Sequence, residues 1–264
     1  MTQILAFAGT KQSGKTSGAH FVSAYVISQI GRMNKDEPMF RSFAQNEQGK
    51  IVIPLDNGND SGIFNFSRSD EEFSKYAETY IWPYIKVYSF ANPLKELCVD
   101  LFNIPYDQIY GSDAQKNLPT QYKWEDVPYN TGKTGFMSGR DFMQEIGTGL
   151  FRSLYDTIWI DKLLKSIERD GSDIAVIDDC RFLNEVNVLK NHNSLIIKLD
   201  RDVGKDKHKS EDEIRNADKS NFDLVIGKDV SLEEKNQEIL NFLYEKKWFT
   251  SHIPLERFNA NIVS

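Results

Sequence analysis

Ile4-Leu5-Ala6-Phe7-Ala8-Gly9-Thr10-Lys11-Gln12-Ser13-Gly14-Lys15-Thr16 is the stretch that decides the fold. Its first five residues form a continuous apolar run, the pattern of a strand buried on both faces. Gly9 to Thr16 then matches G-x-x-x-x-G-K-[ST], in which glycines let backbone N–H groups turn inward around phosphate oxygens. Gly9, Gln12, Ser13 and Gly14 form the cradle, Lys15 reaches the β- and γ-phosphates, and the Thr16 hydroxyl is a ligand for Mg²⁺. From Lys15 onward, Ala19, Phe21, Ala24 and Tyr25 follow a helical pattern, which predicts a helix whose positive end faces the phosphates. Strand, loop and helix in this order favour a nucleoside triphosphate site over a Gly-rich turn without a ligand.

Composition narrows the class. The 264 residues are 40% hydrophobic and 27% charged, ordinary for a globular chain, and no apolar run approaches a membrane span. A formal net charge of −7 argues against sequence-independent nucleic-acid binding, which needs clustered Lys and Arg to displace counterions. Only Cys98 and Cys180 are present, without metal-ligand spacing, and Met1-Thr2-Gln3 opens no leader pattern. A cytoplasmic protein acting on a small ligand, with no membrane or nucleic-acid partner, is the expectation.

Five apolar runs read as strands: Ile4 to Ala8, Ile85 to Phe90, Ile174 to Ile177, Ser194 to Leu199, and Phe222 to Ile226. Helical patterns separate them, which predicts right-handed crossovers, a parallel sheet, and ligands at the carboxyl ends of the strands. An excursion from 33 to 84 is longer than a usual connection and reads as an insertion. Within it, Met39 to Ala44 and Lys50 to Leu55 flank the turn Gln45 to Gly49, and Asp56 to Gly62 turns into Ile63 to Phe66, a small β-meander. Ser69, with Glu72 three residues on, reads as the cap of a following helix. Arg140 to Arg169 predicts two helices broken near Gly147 to Gly149 or at Ser153, and Ser231 opens a closing helix.

Ile174 to Ile177 ends in Asp178-Asp179, a Walker-B type of arrangement in which Asp178 holds Mg²⁺ through water beside Thr16. Acids in a turn after a strand are the plainer alternative. Arg181 and Glu185 stand four apart, either as a helical ion pair or with Arg181 on a second phosphate, to which a planar guanidinium is suited.

Phe90-Ala91-Asn92-Pro93-Leu94-Lys95-Glu96, Arg140-Asp141-Phe142-Met143-Gln144-Glu145-Ile146-Gly147-Thr148 and Asp179-Cys180-Arg181-Phe182-Leu183-Asn184-Glu185, taken with the first loop, resemble bacteriophage deoxynucleoside monophosphate kinases of the P-loop NMP-kinase group. The resemblance implies one P-loop kinase domain over 1–264 with strand order 2-3-1-4-5, ATP on the loop, and a facing dNMP site. It places Lys95, Arg140, Gln144, Asp179, Arg181 and Glu185 at the monophosphate, Lys11 at the accepting phosphate, and Lys116 among the basic residues. Trp159 has a counterpart that stacks on a base or fills the core, Gly227 lies by the adenine, and 200–216 stands where similar enzymes carry a mobile lid, its interleaved basic and acidic residues reading otherwise as a solvated polar face. Lys15, Arg140 and Arg181 supply charge to the transferred phosphoryl group and Asp179 orients. The implied activity is ATP- and Mg²⁺-dependent conversion of dNMP to dNDP in a host cytoplasm, compatible with a homodimer. A related kinase for dephospho-coenzyme A or a nucleoside, and a non-catalytic nucleotide-binding module, are the alternatives.

Overall fold

The computed structural model describes residues 2–33, 43–54, 61–68, 70–127, 132–201 and 209–249. The chain divides into two compact units, Met1–Ser89 with Ser166–Ser264, and Phe90–Lys165. In chain order the strands are β1 (Gln3–Ala8), β2 (Ala44–Gln45), β3 (Ile51–Pro54), β4 (Ser61–Phe64) and β5 (Ile85–Tyr88). They continue with β6 (Pro119–Lys123), β7 (Phe136–Ser138), β8 (Ile174–Cys180), β9 (Leu195–Leu199) and β10 (Leu224–Ile226).

In the first unit, five strands form one parallel sheet, β5-β8-β1-β9-β10. Numbered among the five sheet strands alone this is 2-3-1-4-5; counted over every strand among the described residues the order differs. Two antiparallel insertions set five short strands between members of the sheet. β1 lies at the centre, and Leu5, Ala6, Phe7 and Ala8 are fully buried, as a strand covered on both faces requires. The first helix (Lys15–Met33) and the closing helix (Leu232–Glu245) bury Phe21, Tyr25, Ile239 and Leu243 in the core of that sheet.

The excursion folds as the antiparallel meander β2-β3-β4 followed by a helix, Glu71–Tyr80. Its aromatic residues are not an appendage: Phe43, Phe66 and Phe73 share the core of Leu5 and Phe7, with Phe64 edge-on to Phe43 at 4.9 Å. The expected strand from Met39 falls mostly outside the described residues, as does the turn at 55–60. The helix cap is a correction: Asp70, not Ser69, takes the cap, accepting from the Phe73 N–H at 3.1 Å. Ser69 itself lies outside the described residues. Aspartate caps as well as serine does, and the sequence offered both side by side.

The second unit has its own core of Cys98, Ile104, Ile109, Trp124, Met137 and Phe142. The β6-β7 hairpin carries no strand signal in the sequence, because Pro119–Lys123 is mostly polar and Phe136–Ser138 is only three residues long. The central helices are Gly139–Gln144, a π-helical segment Glu145–Arg152, and Ile158–Asp170. The break therefore follows Ser153, while Gly147 and Gly149 sit inside the wider π turns.

At the β5 edge of the first unit, Lys86 Nζ bonds Asp170 Oδ2 at 2.7 Å and lies over the Trp82 ring at 3.9 Å. Burial alone would raise Asp170, but the bonds from Lys86 and Arg169 outweigh it and hold the carboxyl below its ordinary 3.8. A carboxylate depressed in this way adds stability that is full above the unfolded pKa and lost as pH falls through the folded one. Asp170→Asn should therefore cost about 1–3 kcal/mol near pH 7, with the deficit shrinking by about pH 3. Urea midpoints at the two pH values measure it; an equal deficit at both would show that the charge is not the source.

Candidate functional site

The loop begins where β1 leaves the sheet. Ala8 pairs with Cys180 of β8 and with Lys198 of β9, so the loop emerges between the carboxyl ends of both neighbours. The Gly9 N–H donates to the Cys180 carbonyl at 3.2 Å. Gly9 has φ +146°, and a Cβ there would lie 2.6 Å from the Leu199 carbonyl oxygen and 2.7 Å from Ser13 Oγ. Only glycine fits. Lys15 is 5% exposed and its Nζ donates to the Gly9 carbonyl at 2.8 Å and also to that of Thr10, so the ammonium lies across its own loop. Ser13 Oγ is buried without a hydrogen-bond partner, a hydroxyl available to a polar ligand. The first turn of the following helix carries no acid, leaving its positive end uncompensated. Gln12 and Thr16 are exposed and Lys11 is partly exposed.

β8 delivers the acids. Asp178 is 8% exposed, and Asp179 accepts from Ser89 Oγ at 2.5 Å. Thr16 and Asp178 offer the hard oxygens that suit Mg²⁺, an ion that takes one or two protein oxygens and completes its shell with phosphates and water. No cluster of three or more acids, histidines and cysteines exists among the described residues. Glu185 is 1% exposed and its carboxylate accepts the backbone N–H groups of Arg181 (2.7 Å) and Phe182 (3.1 Å). It thus fastens the start of the helix Leu183–Lys190, and Arg181 is partly exposed beside it.

A pocket of about 280 Å³ opens from the loop. Gln12, Ser13 and Gly14 form its floor, Leu199 and Ile226 its sheet side, and Gly227 with Lys228 the rim expected to face adenine. Two further contributors escaped the sequence reading, the β2–β3 turn as a pocket wall and Lys235 of the closing helix, and Arg201, from the segment expected as a lid, lines the pocket with them. Asn236 Nδ2 bonds Gln45 Oε1 at 2.6 Å, Gln45 Nε2 bonds the Gly49 carbonyl at 3.0 Å, and Ser17 Oγ bonds that carbonyl at 3.1 Å. Lys235 Nζ reaches Ser17 Oγ at 3.3 Å. Gln45 to Gly49 has the composition of any polar turn, and Lys235 follows two glutamates as if on a solvated face. The one signal was Gly49, whose φ of +75° and 2.6 Å Cβ approach to Ser17 Oγ mark a close contact.

The second unit holds the remaining candidates. Arg140 Nη2 bonds Asp113 Oδ1 at 2.6 Å and its Nε bonds Asn117 Oδ1 at 3.1 Å, placing it beside the short helix Asp113–Lys116 that carries Lys116. Lys95 Nζ lies over the Tyr110 ring at 5.3 Å, and Gln144 is exposed in the same unit. Trp159 is 7% exposed, with Nε1 bonded to the Gly147 carbonyl at 3.1 Å and its ring edge-on to Phe151. It anchors the π-helical segment. Of the lid, residues 202–208 lie outside the described residues; Lys209–Asn216 is helical.

A parallel α/β sheet with a glycine loop at its central strand and acids on the adjacent strand end defines a nucleotide-binding α/β protein. The family model described as deoxynucleotide monophosphate kinase matches residues 89–239, and the chain belongs to that family. The chain is 30% identical over 159 residues to a putative deoxynucleotide monophosphate kinase of Acanthamoeba polyphaga mimivirus, covering 58% of this chain and 80% of that protein. It is 44% identical over 61 residues to the deoxynucleoside-5'-monophosphate kinase of Escherichia phage T5, 23% of this chain and 24% of that one. Among the described residues no helix is long and apolar enough to cross a membrane.

Two glycine substitutions test how tightly the loop is built. Gly9→Ala meets backbone and should lower unfolding free energy by about 2–4 kcal/mol, whereas Gly171→Ala, also at positive φ (+67°) but in open space, should cost about 1 kcal/mol. Thermal or urea unfolding compares them; equal costs would mean that residue 9 suffers only from its backbone angle.

Proposed function

We propose that the chain transfers the γ-phosphoryl group of ATP to the phosphate of a deoxynucleoside monophosphate, giving ADP and a dNDP. The observation that carries this reading is the Gly9–Thr16 loop, with Lys15 folded over it and Asp178 at the adjoining strand end, in a member of a deoxynucleotide monophosphate kinase family. Phosphoryl transfer needs alignment and positive charge on the spreading oxygens rather than covalent help. The nucleophile is a phosphate oxygen of the acceptor, already ionised at neutral pH because its second pKa is about 6, so no strong base is required.

In this reading the loop N–H groups and Lys15 hold the β- and γ-phosphates, and Gly227 borders the adenine. Thr16 and Asp178 would hold Mg²⁺, which would supply charge neutralisation to the phosphates. Lys11 and Arg181 take the accepting phosphate and Asp179 orients it, while Glu185 supports Arg181 by holding its backbone N–H. In the second unit Lys95, Lys116 and Arg140 are proposed phosphate ligands and Gln144 and Trp159 base-side groups. Arg140 must then exchange its present bond to Asp113 for a phosphate, an exchange between anions of similar geometry. The residues 200–216 are proposed to close over the donor and exclude water.

Lys15→Ala should cut kcat by about 10²–10³ or more while far-UV circular dichroism stays unchanged, because one preorganised cation is removed from the developing charge. Turnover near normal would take the loop out of catalysis.

ATP consumption alone should be slow and should rise by orders of magnitude on adding the correct dNMP, with one dNDP formed per ATP used. A coupled assay over a panel of NMPs and dNMPs reads this directly. Indifference to every acceptor would leave a nucleotide-binding module in place of a kinase.

A further inference from the structure

Two cations, Lys235 and Arg201, line the pocket. Lys235 is 8% exposed, lines the pocket together with Arg201, and gives its ammonium to the Ser17 hydroxyl at 3.3 Å. Neither side chain has an acid within ion-pair distance among the described residues, although Glu47 lines the same pocket. Burial, then the Arg201 charge, brings the Lys235 ammonium down from 10.5 to about 8. Assembling like charges on the wall of a partly buried pocket opposes folding unless an anion binds there.

The place of Lys235 indicates which anion. Ser17 stands one residue beyond Thr16 on the first turn of the helix, past the Lys15 ammonium, which lies over Gly9 and Thr10. From there the pocket runs to Ile226, Gly227 and Lys228. A nucleoside triphosphate with its terminal phosphates at Lys15 and its base at Gly227 would bring the phosphate nearest the ribose alongside Ser17.

Resting on the proposed donor site, we propose that Lys235 is a donor-binding residue whose ammonium takes the ribose-proximal phosphate of ATP, with the β2–β3 turn as the wall that holds it there. The turn does so through a chain of hydrogen bonds from Asn236 to Gln45, from Gln45 to the Gly49 carbonyl, and from Ser17 to that same carbonyl. Lys235 and Asn236 are sequence neighbours, so fixing one fixes the other. The turn lies before residue 89, outside the matched family range.

Calorimetric titration of adenosine, AMP, ADP and ATP into wild type, Lys235→Met and Lys235→Arg tests the assignment. Methionine should weaken AMP, ADP and ATP by a common factor of roughly 10–100, the worth of one charge-assisted bond, while leaving adenosine unchanged; arginine should restore most of the loss. In turnover the methionine change should appear in KM for ATP and not in KM for the dNMP. AMP affinity unaltered by methionine, or adenosine weakened as much as AMP, would overturn the assignment, the latter showing that Lys235 only props the wall. Wild type that binds none of the four would instead remove the donor site itself, and the assignment with it.

Discussion

Residue 9 has no room for a side chain, and the site is organised around that fact. β1 is flanked on both sides by parallel strands, so at its end the chain must turn across the carboxyl end of one of them. It crosses β9, close enough that a Cβ would sit 2.6 Å from the Leu199 carbonyl, while the Gly9 N–H is tied back to β8 through Cys180. That crossing sets the loop over the strand end that carries Asp178 and Asp179 and beside the one that leads to Arg201. The placement of the loop, the acids and the pocket floor is thus a consequence of one register, β1 against β8 and β9.

The far wall of the pocket has a different origin. The β2–β3 turn and the start of the closing helix are separated by some 190 positions, yet Gln45 and Asn236 meet at 2.6 Å with both side chains buried. Gln45 is held by Asn236, by the Ser17 hydroxyl and by backbone carbonyls, so a slip would leave its buried amide donors unsatisfied in a medium that cannot solvate them. The meander therefore does two jobs with separate residues. Its aromatics extend the apolar core of the sheet, and its first turn, through Gln45 and Gly49, sets the height of the pocket wall over Ser17.

Local features were legible in the sequence and long-range ones were not. The five sheet strands, the loop and the Asp178-Asp179 strand end are each written in contiguous residues, since a buried parallel strand is an apolar run and a phosphate loop is a fixed spacing. The meander was legible as turns between short runs. What escaped was set by partners far away in sequence: Lys235 looks solvated beside Glu233 and Glu234, and only the approach of Arg201 and Ser17 makes it a buried cation. The β6-β7 hairpin escaped because its first strand is mostly polar and its second is only three residues long. Trp159 was left open between a base platform and a core aromatic; its indole N–H, engaged with the Gly147 carbonyl, fastens the π-helical segment that carries Gly147 and Gly149.

A chain of net charge −7 that handles polyanions must concentrate positive charge locally, and the partners of each cation decide how available that charge is. Arg140 is already bonded to the Asp113 carboxylate, so an incoming phosphate gains only the difference between two anions. Lys235 is bonded to a neutral hydroxyl, which orients the ammonium without cancelling it, and Arg201 nearby makes the unoccupied arrangement costlier still. Binding an anion there recovers what burial and repulsion cost, so the same phosphate contact is worth more at Lys235 than at Arg140. On the proposed assignment the pocket is prepared for its anion by the fold, whereas Arg140 would become available only by giving up a bond within its own unit. Such a difference suits a donor that is held first and an acceptor whose arrival must change something before transfer begins.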